Sequence, residues 1–278
     1  LKKLHFDYCM EIMYSVDVTR CFYTIKCIPE DTQRQSISNF QIEMTPPSNP
    51  EWADDAHGNR YIFGCNTVPH DYFRFKISGD AECGKKDFEA YSTENEEMIY
   101  RHSHGLTVPG EKIKTYYRSL VEKIPGFEES VPAVKAKIIM ERLHQDMVYE
   151  KGSTDVTTTA EEALSQGKGV CQDFAHVMVS LLILAGCSAR YVTGLIIGEG
   201  ESHAWVEVVD DGKWYGFDPT NDTVVSDSHI KIGVGRDATE CQINRGTMHG
   251  GGNQTQKITV NVTEIGVGQD FVRKGALL

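Results

Sequence analysis

The chain is predicted to fold as an α+β protein, with a β-rich front part, a helical middle and an antiparallel hairpin. Three observations lead there. Strand-like alternation dominates the first ninety or so residues. Apolar residues then recur at three- and four-residue steps through three later segments. Finally, Ala204, Val206 and Val208 alternate with His203, Trp205 and Glu207 before an Asp211-Gly212 turn. At 278 residues and 40% hydrophobic, there is apolar material for two modest cores. The expected division is 1–95, a β-sandwich-like domain, and 96–278, a domain of helices on an antiparallel sheet with a C-terminal extension.

In the first domain, Leu4-His-Phe6-Asp-Tyr8 and Tyr72-Phe-Arg-Phe-Lys-Ile77 read as strands. Turn signals stand at Pro46-Pro47, His57-Gly58-Asn59 and Ser78-Gly79-Asp80. The stretch 92–101 carries three glutamates and reads as a polar linker. His102-Ser-His104 follows it without a third ligand in view, so a solvated loop is expected there rather than a metal site. Helices are expected over 111–124 and 134–149, the second with Ile138, Leu143 and Met147 toward the core. Thr159 and Glu162 fit a capping box for a short helix. The apolar positions Phe174, Ala175, Val177, Met178, Leu181 and Leu182 continue at helical spacing up to Gly186, which starts a helix at Cys171. Late in the chain, Ile258, Val260 and Val262 alternate as a strand, and the loop His249-Gly-Gly-Gly-Asn253 before them is expected as a lip over a cleft or a flexible connection.

The balance of 28 basic to 40 acidic residues gives a formal charge of −12, which argues against nucleic acid or an anionic membrane as partner. Eight cysteines contain no CxxC pair and no zinc-like spacing, so neither a metal nor another cofactor is expected. No apolar leader or membrane-length run is evident. The thiols are therefore expected to be reduced and the protein cytoplasmic.

Chemistry concentrates in three short blocks. A free thiol, with a pKa of about 8.5, becomes a strong nucleophile only as thiolate. Cys171 would sit at a helix N-terminus, after the permissive Gly167 and Gly169, where the helix dipole favours an anion. A two-residue turn at Asp211-Gly212 pairs 210 with 213, and continuing that register pairs Trp205 with Asp218. His203 and Asp218 then share a face, as an imidazole base and the carboxylate that fixes its tautomer. Acyl transfer also needs an oxyanion stabiliser. The backbone N–H of Cys171 is one candidate; Gln166 and the indole of Trp205 are others, with Trp205 better suited to walling the cleft. Asp173 and His176 stand one turn apart on the same helix. The reading for Asp173 is support, because a second carboxylate facing the thiol would oppose thiolate formation.

These blocks, Gly169-Val-Cys171-Gln-Asp173-Phe-Ala-His176, Ala189-Arg-Tyr191-Val-Thr-Gly194, and His203-Ala-Trp205-Val-Glu207 with Asp218-Pro-Thr-Asn221, resemble the transglutaminase-like superfamily. More narrowly, they resemble its bacterial branch of papain-like thiol enzymes. The front of the chain and the segment His229-Ile-Lys-Ile-Gly-Val-Gly-Arg236-Asp237 look like the flanking parts of those proteins. The resemblance implies a papain-like transglutaminase core, with the nucleophile helix packed on an antiparallel sheet, in the second, catalytic domain. It implies Cys171 as nucleophile, His203 as base and Asp218 as orienter, with Asp173 and Tyr191 in support. The implied reaction is hydrolysis of a peptide or γ-glutamyl-type amide through an acyl-enzyme. Acyl transfer to an amine, or a catalytically idle peptide- or protein-binding module, are the alternatives. The oligomeric state is not legible.

Overall fold

The computed structural model describes residues 1–266 and shows two antiparallel sheets with a helical layer on one of them. Strands β1 (Lys2–Ile25), β2 (Gln35–Thr45), β3 (Glu51–Asp54), β4 (Arg60–Asn66) and β5 (His70–Cys83) build most of the first sheet. After the short β6 (Ala90–Tyr91) come helices α1 (Glu94–Ile99), α2 (Glu111–Lys123) and α3 (Pro132–Asp146). Then follow β7 (Val148–Tyr149), α4 (Ala160–Gln166), β8 (Lys168–Gly169) and α5 (Cys171–Leu184). The chain ends its described part with β9 (Ala189–Ile196), β10 (Gly198–Gly200), β11 (His203–Asp210), β12 (Lys213–Asp218), β13 (Thr223–Val224), β14 (His229–Gly235), β15 (Asn244–Gly250) and β16 (Gln254–Glu264).

The first sheet is organised by β1. Its first half lies between β5 and β16, and its second half between β4 and β15, with register shifts around Val18 where the strand changes partners. A strand that bends in this way curls one sheet into a sandwich-like layer. Leu4, Phe6, Tyr8, Met10 and Ile12 point inward at every second position and meet Phe73, Phe75 and Ile77 of β5. Ser78-Gly79-Asp80 makes no turn and lies inside β5. Gly79 pairs with Phe6, and a Cβ there would come within 2.8 Å of the Phe6 ring, so this glycine serves a close approach rather than a reversal. The expected boundary at 95/96 assigns 244–264 to the second domain, yet β15 pairs with β1 and β16 lies between β1 and β10 in the first sheet. The glycine loop is correspondingly the turn between those two strands, tied to the bend of β1 by Gly251 N–H to the Asp17 carbonyl and Ser15 N–H to the Asn253 carbonyl, and does not border the cleft.

The second sheet has the order β13-β12-β11-β9-β14, with β6 on β12. Helices α3 and α5 cover one face. Ala204, Val206, Val208 and Phe217 join Phe174, Met178, Leu181, Ile139, Met140 and Leu143 in one buried cluster. In α3 the buried positions are Ala136, Ile139, Met140 and Leu143; Ile138 is only half-buried, a shift of one residue from the expected stripe. The polar linker contains α1, whose Thr93 and Glu96 form the same reciprocal cap that Thr159 and Glu162 form on α4. Among the described residues, no helix is long and apolar enough to cross a membrane.

Candidate active site

Cys171 is the first residue of α5. Its position is fixed from behind by Asp173, whose Oδ2 accepts the Val170 N–H at 2.7 Å and the Thr154 hydroxyl at 2.6 Å. That carboxylate thus caps the helix and holds the loop before it. Burial raises its pKa more than these bonds lower it. Gly169 is required by the same packing, since a Cβ would meet the Asp173 side chain at 2.6 Å.

His203 opens β11, and the β11–β12 ladder runs from Asp210–Lys213 to Val206–Phe217, the register the two-residue turn predicts. Asp218 follows immediately, and its Oδ2 lies 2.7 Å from His203 Nε2. The other ring nitrogen is left to face the thiol. Burial alone would lower the His203 pKa, but the hydrogen bonds to Asp218 and to Cys171 push it up to about 10. Asp218 is fully buried. Burial would raise its pKa, and the hydrogen bonds from His203, His229 and Asn221 outweigh that, holding the carboxyl well below the usual range. The helix dipole favours an anion at the start of α5 by only about 0.3–1 kcal/mol, so an adjacent imidazolium is the larger influence on a charge there.

Five donors converge on Asp218. Oδ1 accepts the Thr220 and Asn221 N–H groups at 3.0 and 3.2 Å; Oδ2 accepts Asn221 Nδ2 at 2.7 Å and faces the imidazoles of His203 and His229. The Asp218-Pro-Thr-Asn221 block is therefore a turn that wraps its own aspartate. His203, Asp218 and His229 also bring two imidazole nitrogens and one carboxylate oxygen within 4.8 Å of one another. The His203 and His229 Nε2 atoms are both directed at Asp218 Oδ2, so hydrogen bonds occupy the space a cation would need.

The other expected site residues are distributed differently. Trp205 is fully buried among Val192, Val225 and Val234, with its indole edge-on to His229 at 5.4 Å and tilted to His203 at 6.3 Å. It underlies the imidazoles and is neither a cleft wall nor an oxyanion donor. Gln166 is exposed at the end of α4, whose buried stripe is Ala160, Ala163 and Leu164, and the cleft is bordered instead by Gln172. Tyr191 is buried with its ring 5.1 Å from that of His176. His176 accepts the Ala238 N–H at Nε2, and burial lowers its pKa to about 4, which makes it a neutral anchor for the segment after β14 rather than a partner of Asp173.

Cys171 and His203 line a cleft of about 450 Å³ bordered also by Thr154, Gln172, Gly198, Glu199 and Val260. The segment between β9 and β11 leaves the second sheet here, and β10 pairs with β16 of the first. Each sheet thus supplies a wall. Glu199, Glu201 and Asp155 stand exposed around the opening against Lys151.

A thiol at a helix start, set against a sheet-borne histidine and carboxylate, defines the papain-like class of thiol enzymes. The family models agree with that class: residues 118–219 match the transglutaminase-like superfamily, and residues 4–82 the bacterial transglutaminase-like N-terminal region. An uncharacterised protein of Mycobacterium tuberculosis is 33% identical over 267 residues, covering 86% of this chain and 85% of that one. A Mycobacterium leprae relative is 37% identical over 127 residues, 42% of this chain and 45% of its own length. The crystal structure of a "putative cysteine protease" from Cytophaga hutchinsonii superposes with a TM-score of 0.79 at 20% identity, covering 95% of this chain and 91% of that one, and shares the fold. The chain belongs to the transglutaminase-like superfamily.

Proposed function

We propose that this protein is a cysteine-dependent amide hydrolase, with Cys171 as nucleophile, His203 as general base and acid, and Asp218 as the group that orients His203. The observation that carries the reading is the 2.7 Å bond from His203 Nε2 to a buried Asp218, which keeps the imidazole protonated with its other nitrogen toward the thiol. In the reaction, the thiolate of Cys171 attacks the amide carbonyl and forms a C–S bond. The oxyanion is met by the N–H groups of Cys171 and Gln172, which open α5 and lack intrahelical acceptors. His203 gives its proton to the departing amine as the C–N bond breaks. Water, deprotonated by the now neutral His203, then cleaves the thioester and regenerates the thiol pair.

One observation favours a second reading. The acidic residues Asp155, Glu199 and Glu201 at the opening would attract a cationic amine, which could replace water at the thioester in a transglutaminase-type transfer. Incubation with a glutamine peptide and a primary amine separates the two outcomes: hydrolysis yields a glutamate peptide or a cleaved peptide, and transfer yields the N-substituted amide, ammonia being released in either case when the side-chain amide reacts. The thiol chemistry itself is tested by iodoacetamide labelling of all eight cysteines across pH. The expected result is fast labelling confined to Cys171 at pH values well below 8 and slowed in His203→Ala. Labelling of Cys171 at the rate of the other accessible thiols would overturn the reading.

A further inference from the structure

We infer that His229 is a fourth, positioning member of the site, an imidazole that locks the Asp218 carboxylate in the rotamer that serves His203; the inference rests on the thiol-enzyme reading above. Its ring is buried, with its side chain only 3% exposed, at the start of β14. Nδ1 accepts the Ser226 backbone N–H at 3.3 Å, and the Ser226 hydroxyl lies 3.5 Å from the same nitrogen. A ring nitrogen that accepts an N–H carries no proton, so the proton of the neutral imidazole sits on Nε2, and Nε2 lies 3.3 Å from Asp218 Oδ2. The direction of that hydrogen bond is thereby set by the backbone of the turn preceding β14.

The other restraints on Asp218 differ in kind. Thr220 and Asn221 belong to the same turn as the aspartate and move with it. His203 exchanges its proton during the reaction proposed for it. His203 comes from β11, the direct neighbour of β12, whereas His229 reaches the carboxylate from β14, which is paired with β9 and not with β12. Trp205, edge-on to His229, holds the ring in that orientation from beneath.

The test uses two substitutions that divide the ring from its donor. His229→Phe keeps a flat ring against Trp205 and removes the N–H; His229→Gln keeps an N–H near Nε2 and removes the ring. Labelling of Cys171 by iodoacetamide is followed from pH 5 to 9, beside urea unfolding to confirm the fold. The expected result is that His229→Phe slows labelling below pH 7 about tenfold, the worth of one hydrogen bond to a charged group, and moves the half-maximal rate to higher pH. His229→Gln should stay within about twofold of the parent. Ser226→Pro, at an exposed position, deletes the N–H that sets the tautomer and should slow labelling about threefold, which keeps the inference testable where the Phe variant does not fold. A parental pH profile in the Phe variant, or equal slowing in Phe and Gln, overturns the role of His229 while leaving Cys171 activated. A parent whose Cys171 labels no faster than its other thiols overturns the thiol reading and this inference together.

Discussion

Two buried charge clusters stand on the same face of β11, one at each side of Trp205. At one side His203 meets Asp218, and at the other Glu207 is held by Arg190 at 2.7 Å and Lys231 at 3.0 Å. The second cluster is closed. Glu207 is fully buried, the Arg190 guanidinium lies 3.9 Å over the Trp214 ring, and Glu89 with Arg34 packs nearby, its pKa raised to about 7 by burial and by Glu207. Lys231 comes from β14, as His229 does, so both clusters clamp that strand onto the sheet. What separates them is the cleft. Each charged group around Glu207 has an ion-pair partner of opposite charge away from the cleft, whereas His203 pairs with Asp218 and borders open space beside the thiol. The contrast separates a charge cluster that only holds strands together from one that also reaches a cleft.

The comparison can be broken or sharpened by substitution. Cys171→Ala should abolish turnover, a loss on the order of 10³-fold or more, with urea unfolding within about 0.5 kcal/mol of the parent. A stability loss of several kcal/mol instead would make the thiol a packing residue. Asp218→Asn should lower kcat by roughly 10²–10⁴-fold, since the amide cannot hold the imidazolium. In NMR titration His203 should then lose its proton at lower pH than it does with the carboxylate beside it, because the hydrogen bond to Asp218 raises its pKa. Glu207→Ala should do the reverse: about 3–5 kcal/mol of stability lost because Arg190 and Lys231 are left unpaired, with Cys171 labelling of the folded fraction unchanged. Slowed labelling in that variant would mean that the clusters are coupled through β11.

A third histidine sharpens the point about charge. His176 has a folded pKa of about 4 against about 6.5 unfolded, so the unfolded chain binds its proton first. The stability it contributes is complete above pH 6.5 and lost as pH falls toward 4, on the order of 3 kcal/mol, and His176→Phe should flatten that part of the stability–pH curve. The smallest effect is expected for Asp173→Ala, about 1–2 kcal/mol from the lost cap on α5, read by urea unfolding.

Much of this was legible because it is local. The start of α5, the Thr159–Glu162 cap and the β11–β12 register each follow from residues a few positions apart, and the register is what brings His203 to Asp218. The cap on α1 was equally readable, since Thr93-x-x-Glu96 repeats the pattern of Thr159-x-x-Glu162, but the surrounding glutamates made the segment look like a solvated linker. Gly79 misled in a different way: glycine marks both reversals and close approaches, and only the pairing with Phe6 distinguishes them. Parity placed Trp205 on the face of His203, yet its burial under Val225 and Val234 depends on strands that arrive later. His229 was hidden for the same reason. Its contact with Asp218 exists only because β14 crosses to the far edge of β9, a pairing that no short-range spacing announces.

The pairing of β1 with β16, from Leu4–Glu264 to Tyr14–Gln254, has a consequence for how the protein is made. The strand that carries Val260 to the cleft, and that seats β10 beside it, is synthesised after Cys171, His203 and Asp218, and long after its partner β1. During synthesis the thiol, the histidine and the aspartate are all present before the wall that confines a substrate against them. A nascent chain would thus hold its reactive groups without a finished binding cleft, and competence would arrive with β16.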